Sequence, residues 1–238
     1  MDYAKIIGNA FEFSKEGVLA RGDRWLKLIL ALILLTLPLN GYTMRIYRGA
    51  TPAPEVDSWG RLFIDGLKLL VLGLVYAIPV IIVWIIAYAG LITALLSGKL
   101  TSGDTAAYAS MGLQPAIGLL VLVYILDIII AILLPIATIR LARTNSFAAA
   151  FNIGAVLEYI RKIGWLSYIL AHIILIVVVG IPVFIFAVVI TLAILFMSGS
   201  LAMTIPAVIV IVVLILPPIQ VFQARYITQV YDSVAPVE

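Results

Sequence analysis

The chain has 238 residues, 64% of them apolar, with no cysteine, one histidine and a net charge of +3, and its mean hydropathy is +1.22. An ordinary soluble domain is about 45–50% apolar, so the composition predicts one integral membrane domain spanning 1–238 with no separate soluble one. It also excludes disulfides, thiolate chemistry and multi-histidine zinc centres, and no metal or cofactor is expected.

Near the start, Tyr3, Ile6, Ile7, Ala10 and Phe11 recur at helical spacing while Lys5, Asn9, Glu12, Lys15 and Glu16 take other faces. This pattern predicts an amphipathic helix within 1–22, lying in the membrane interface. Asp23 is a candidate N-cap for the apolar run Trp25–Leu39, and residues 25–42 form either a first span or a re-entrant segment that Pro38, Asn40 and Gly41 would terminate.

Asp57 opens a second amphipathic stretch in which Trp59, Leu62, Phe63, Gly66, Leu67 and Leu70 share a stripe, with Arg61, Asp65 and Lys68 off it. That stretch merges into an apolar run reaching Ser97, so 57–97 reads as an interfacial helix turning into a span. The run over 116–143 is a further span. A third amphipathic stretch from Asn145 or Ser146 places Phe147, Ala150, Phe151, Gly154, Leu157 and Ile160 on one face, and 146–198 repeats the pattern of interfacial helix and span. Residues 204–232 supply the last span and tail. The runs Leu67–Ser97 and Ile163–Met197 have 31 and 35 residues, about 46 and 52 Å as straight helices, so tilt or kinks at Pro79 and Gly180–Pro182 must absorb the excess over a core of about 30 Å.

The expected fold is therefore all-α: a polytopic helical membrane bundle of four to five transmembrane helices with three amphipathic interfacial helices. A tandem repeat is legible too. Apolar runs end in Leu-Pro at Leu37-Pro38 and Leu134-Pro135, each followed by two arginines, and at Leu216-Pro217, followed by Arg225, with the first two copies offset by about 97–101 residues. The alternative is that membrane helices commonly end this way.

Charge bears on orientation. With five crossings the lysines and arginines divide nine to six. If Trp25–Leu39 re-enters, fourteen of the fifteen fall on one side. The second division obeys the positive-inside rule and places both termini in the cytoplasm.

Few residues carry chemistry. Asp127 is the acid well inside an apolar run, and His172 lies inside another. Together they suit a proton relay or a cation site, against the plainer reading of hydrogen bonds to neighbouring helices. Tyr168 and Tyr76 are candidate partners for His172. Arg45, Arg48, Arg140, Arg143 and Arg225 follow helix ends and are candidates for contacts with lipid phosphates or a partner, or for snorkelling anchors. Basic residues flanking apolar runs fit anionic lipids, and no nucleic-acid partner is expected. The stretch Gly98–Gly103 lacks the phosphate-loop pattern, and with no nucleophile–base set or paired carboxylates, no enzyme is expected.

The segments Leu37-Pro-Leu-Asn-Gly-Tyr-Thr-Met-Arg45 and Trp59-Gly-Arg-Leu-Phe-Ile-Asp-Gly-Leu-Lys68 resemble an uncharacterised prokaryotic, mainly archaeal, integral membrane family, domain of unknown function 4013. Its pattern is Gly-Tyr before basic residues, a loop with proline and an acid, and a Trp-Gly…Leu-Phe…Asp-Gly-Leu helix entering a long span. Here Ala53-Pro54-Glu55 replaces the usual Leu-Pro-Glu. The resemblance covers about residues 37–75, implies the plasma membrane of an archaeon, and supplies no activity, substrate or cofactor. Any functional positions it implies would be Gly41, Tyr42, Arg45, Asp65 and Gly66, unless these form a turn and a docked helix.

Two functions compete. One is a non-catalytic accessory or scaffold protein engaging membrane lipids and partner subunits, as a homo-oligomer or in a larger membrane complex. The other is a small proton- or cation-coupled transporter or channel using Asp127.

Overall fold

Asp2 opens the first helix by accepting a hydrogen bond from the Lys5 amide, in a computed structural model that describes residues 1–89, 93, 96, 117–196 and 201–234. Every regular element among these residues is helical, as the periodicity predicts. The α-helices are α1 (Tyr3–Ser14), continued by a π-helical turn at Lys15–Leu19, α2 (Gly22–Ile33), α3 (Leu37–Tyr47), α4 (Trp59–Ala87), α5 (Ile117–Thr144), α6 (Phe147–Phe151), α7 (Ile153–Ile163), α8 (Trp165–Phe196) and α9 (Leu201–Asp232). Among the described residues, three are long and apolar enough to cross a membrane: α4, α5 from Gly118, and α8 as far as Leu192. The expected ends of the long runs at Ser97 and Ser198, and the Gly98–Gly103 stretch, lie outside the described residues.

The run Trp25–Leu39 forms no single helix. The chain turns at Leu35 and Thr36, both at positive φ, and the 12 residues of α2 rise only about 18 Å. The expected break at Pro38–Gly41 falls earlier, because Pro38 sits in the first turn of α3, where its missing N–H has no helical partner to lose.

The other Leu-Pro pairs also fail to end helices. Pro135 lies inside α5 and Pro217-Pro218 inside α9. A proline leaves the carbonyl four residues earlier without its helical donor. Trp25 Nε1 donates to that carbonyl of Leu214, at 3.1 Å, and so offsets the loss from Pro218.

The chain divides into two compact units, Met1–Val71 with Pro135–Glu238, and Leu72–Leu134. In the first, Phe13, Leu28, Leu32, Leu39, Tyr42, Ile46, Leu62 and Val221 belong to one buried cluster. Gly41 and Gly66 let α3 and α4 approach at backbone distance: a Cβ at Gly41 would run into the Leu62 carbonyl, and one at Gly66 into that of Leu37. In the second unit Leu72, Tyr76, Val83, Val123 and Leu133 are buried, and Trp84 stacks on Tyr88 at 5.2 Å.

The amphipathic stripes need correction in register. On α1 the buried face is Ile6, Ala10, Phe13 and Ser14, while Phe11 points outward. On α4, Leu62 and Gly66 are buried with Asp65, whereas Phe63, Leu67 and Leu70 are exposed. The third stretch is interrupted twice. Asn152 caps α7 by accepting from the Ala155 amide at 3.0 Å, and Gly164, at φ +94, separates α7 from α8. The buried face there becomes Val156, Tyr159 and Ile160.

Candidate functional site: a basic bowl beside the α4 entry

Positions 61, 64, 65 and 68 share one face of α4 because they fall at i, i+3, i+4 and i+7. With Arg48 from the end of α3 and Ala142, Arg143 and Asn145 from the end of α5, they line a cavity of about 720 Å³. All eight residues belong to the first unit. Asp65 is its acid, buried, and is held by Arg48 at 2.6 Å and Lys68 at 3.6 Å. Lys68 also donates to Asn145 Oδ1 at 2.7 Å. The two arginines are gripped along one edge: Arg48 Nε donates to the Ala142 carbonyl and Arg143 Nε to that of Tyr47, both at 3.2 Å. Arg143 further pairs with Asp232 at 2.5 Å and lies 4.7 Å over the Tyr231 ring. Arg61 is exposed, and no ion pair among the described residues involves it.

The other arginines expected to meet a ligand are otherwise engaged. Arg45 donates to the Glu55 and Asp57 carbonyls and pairs with the Asp57 carboxylate at 2.6 Å. Its guanidinium holds the Asp57 carboxyl below the usual aspartate range. Arg140 Nε donates to the Ala149 carbonyl at 3.0 Å, and Arg225 stacks over Phe13 at 4.9 Å. The bowl thus brings together Arg48, Arg143 and Asp65 from the sequence reading. It adds Arg61 and Lys68, which the helical spacing places off the apolar stripe of α4, and Asn145, which the sequence offers as a start of the third amphipathic stretch.

A second polar cluster fixes the 49–58 loop. Arg24, only 4% exposed, donates to the Gly17 carbonyl at 2.9 Å and pairs with Glu55. Arg21 lies 3.5 Å from the same carboxylate, and the Tyr42 hydroxyl donates to the Pro54 carbonyl at 2.9 Å. Gly41, Tyr42, Arg45 and Gly66 therefore all serve the docking of α3, α4 and this loop.

Asp127 and His172 occupy different settings. Asp127 is exposed midway along α5, between exposed Tyr124 and Ile128. His172 finds its partner one turn back in α8: its Nδ1 lies 3.0 Å from the Tyr168 carbonyl, and the two rings are 4.3 Å apart. A carbonyl only accepts, so the proton resides on Nδ1; Nε2 is buried and has no partner among the described residues.

Between α8 and α9 runs an apolar groove of about 400 Å³, lined by Pro182, Phe186, Leu216 and Ile219 among others. It shares Pro182 and Ile219 with a smaller cavity of about 180 Å³ that opens beside Ser14 and Lys15.

The profile of the family described as "Protein of unknown function (DUF4013)" matches residues 26–196, well over half of the chain. The chain belongs to that family. The matched segment starts in α2 and ends with α8, so it contains every residue lining the bowl. No curated protein and no solved structure matches the chain.

Proposed function

We propose that the protein is a non-catalytic accessory or scaffold protein of a prokaryotic, mainly archaeal type, held in the cell membrane by several spans with both termini in the cytoplasm. It engages lipids along its apolar helices and a partner helix, from a second copy or another subunit, along α5.

The observation that carries this reading is the exposure of Asp127 among Tyr124, Ile125 and Ile128. A charged side chain facing hydrocarbon at mid-membrane costs at least about 2.5–3.5 kcal/mol. A donor on a docked helix removes that cost, so the face suits a partner better than lipid. The exposed apolar side chains of α8 and the α8–α9 groove suit acyl chains.

The test is photo-crosslinking from position 124 in native membranes, alongside the size of the gently extracted protein. The wild type is expected to give one discrete higher-order species, Asp127→Asn to keep it and Asp127→Leu to lose it. A monodisperse monomer with no crosslinked product would sink the proposal.

A proton- or cation-coupled transporter is the second reading, favoured by Asp127 together with the unpartnered Nε2 of His172. It predicts that Asp127→Asn abolishes coupled flux in proteoliposomes while leaving the assembled species intact. Neither residue lines the bowl, the α8–α9 groove or the smaller cavity beside Ser14 and Lys15.

A further inference from the structure

We propose that the basic bowl binds a phosphate-bearing ligand, with the headgroup of an anionic membrane lipid as the source favoured by its position. The inference rests on the membrane reading of the protein but not on the Asp127 contact.

Charge is the first argument. Arg48, Arg61, Lys68 and Arg143 face one lining acid, Asp65, and that carboxylate is already divided between Arg48 and Lys68. Counting Asp232 against Arg143 still leaves two positive charges in excess. Such an excess in one concavity attracts a polyvalent or strongly hydrogen-bonding anion.

Preorganisation is the second. Arg48 and Arg143 are each anchored through Nε to a backbone carbonyl and through one terminal nitrogen to a carboxylate. Their remaining N–H groups are held in place before any ligand arrives, so little side-chain entropy is lost on binding. A planar guanidinium matches two phosphate oxygens at once. Arg61 is the free arm that can close over the ligand.

Position and size are the third. Ile64 forms an apolar wall, and the adjoining Phe63, Leu67 and Leu70 of α4 are exposed. They lead directly into the apolar part of α4, a helix long and apolar enough to cross a membrane. A phosphate seated in the bowl would therefore have its acyl chains continuing along exposed apolar side chains. At about 720 Å³ the cavity has the size of a small-molecule site rather than of a lone ion's nest. A soluble phosphate ester shares the same charge recognition but uses none of the apolar approach.

The experiment uses the full chain in mild detergent. Retention of dioleoyl phosphatidylglycerol and of dioleoyl phosphatidylcholine is compared by native mass spectrometry, and inorganic phosphate is titrated calorimetrically in parallel. Arg61→Ala is the informative variant, because Arg61 is exposed and its loss breaks no ion pair among the described residues. Arg161→Ala, an exposed arginine of α7 outside the bowl, controls for general surface charge. Preferential retention of phosphatidylglycerol, weakened about fivefold by Arg61→Ala and unchanged by Arg161→Ala, supports the proposal with a lipid as source. Phosphate binding with the same Arg61 dependence and no lipid preference supports it with a soluble source. Equal retention of both lipids without phosphate binding overturns it, and so does equal sensitivity to the two variants. None of these results alters the oligomer and crosslink readouts at Asp127, so the two proposals fail separately.

Discussion

The crossing of α3 and α4 and the long helix α8 are both apolar, yet they are stabilised in opposite ways. At the crossing the chain provides its own partners: two glycines bring backbones together, Tyr42 and Arg45 tie down the following loop, and Arg24 reaches Glu55 from α2. Along α8 only 6% of the most apolar window is buried by the protein itself, and Leu166, Ile176 and Phe184 point outward. The first region encodes a fixed shape. The second encodes compatibility with whatever surrounds it.

The largest test of that contrast is steric. Gly41→Val or Gly66→Val would force α3 and α4 apart against backbone atoms, and each is expected to cost more than about 3 kcal/mol or to abolish recovery of folded protein. Gly60→Ala, also on α4 but with open space at its Cβ, is expected to be neutral or to gain up to about 1 kcal/mol through helix propensity. Thermal unfolding in detergent reads all three. Equal effects at Gly41 and Gly60 would show that the crossing is not close-packed.

A smaller effect comes from the loop clamp. Arg24→Met removes bonds to the Gly17 carbonyl and to Glu55, and is expected to cost about 2–3 kcal/mol. Glu55→Gln should cost under about 1 kcal/mol, because its side chain is 53% exposed and the pair is screened from that side. On α8, Phe184→Leu is expected to change stability by less than about 0.5 kcal/mol in dispersed protein. A large loss there would mean that α8 is covered by a partner even after extraction.

The same contrast explains what the sequence revealed. Helix existence and class were legible because runs such as that within 116–143 are apolar enough to dominate every other signal. Which face meets protein was not. Periodicity on α4 grouped Leu62 and Gly66 with Phe63 and Leu67, since a core and a lipid phase both select apolar side chains. Asp65 was assigned to the polar side, although it is buried as the counter-ion of Arg48 from α3, a partner seventeen residues away. The third amphipathic stretch was legible as one face from Phe147 to Ile160, but the Asn152 side chain caps a new helix within it, and the buried face of α7 is Val156, Tyr159 and Ile160. Arg48 and Arg143 were recognisable as helix-end cations. Their convergence on one bowl depended on the pairing of α3, α4 and α5, which no local pattern contains.

The mildest perturbation is acid, and it separates the clamp from the rest of the chain. Arg45 holds the Asp57 carboxyl below its usual range, so folding favours the ionised form. A carboxylate depressed in the folded state contributes stability that is fully present above its unfolded pKa of about 3.9 and is lost as pH falls through the lower folded value. Exchange of loop amides 49–58 is therefore expected to be flat from neutral pH down to about pH 5, after correction for intrinsic rates, and to quicken below about pH 4. Asp57→Asn should remove the acid dependence while leaving the Arg45 bonds to the Glu55 and Asp57 carbonyls in place. Glu158 is also depressed, by Lys162, but that pair lies on α7 and its protonation should leave the loop unchanged. If the loop in Asp57→Asn still loosens in acid, Asp57 is not the group that couples it to pH, and its pairing with Arg45 is not what sets the acid response.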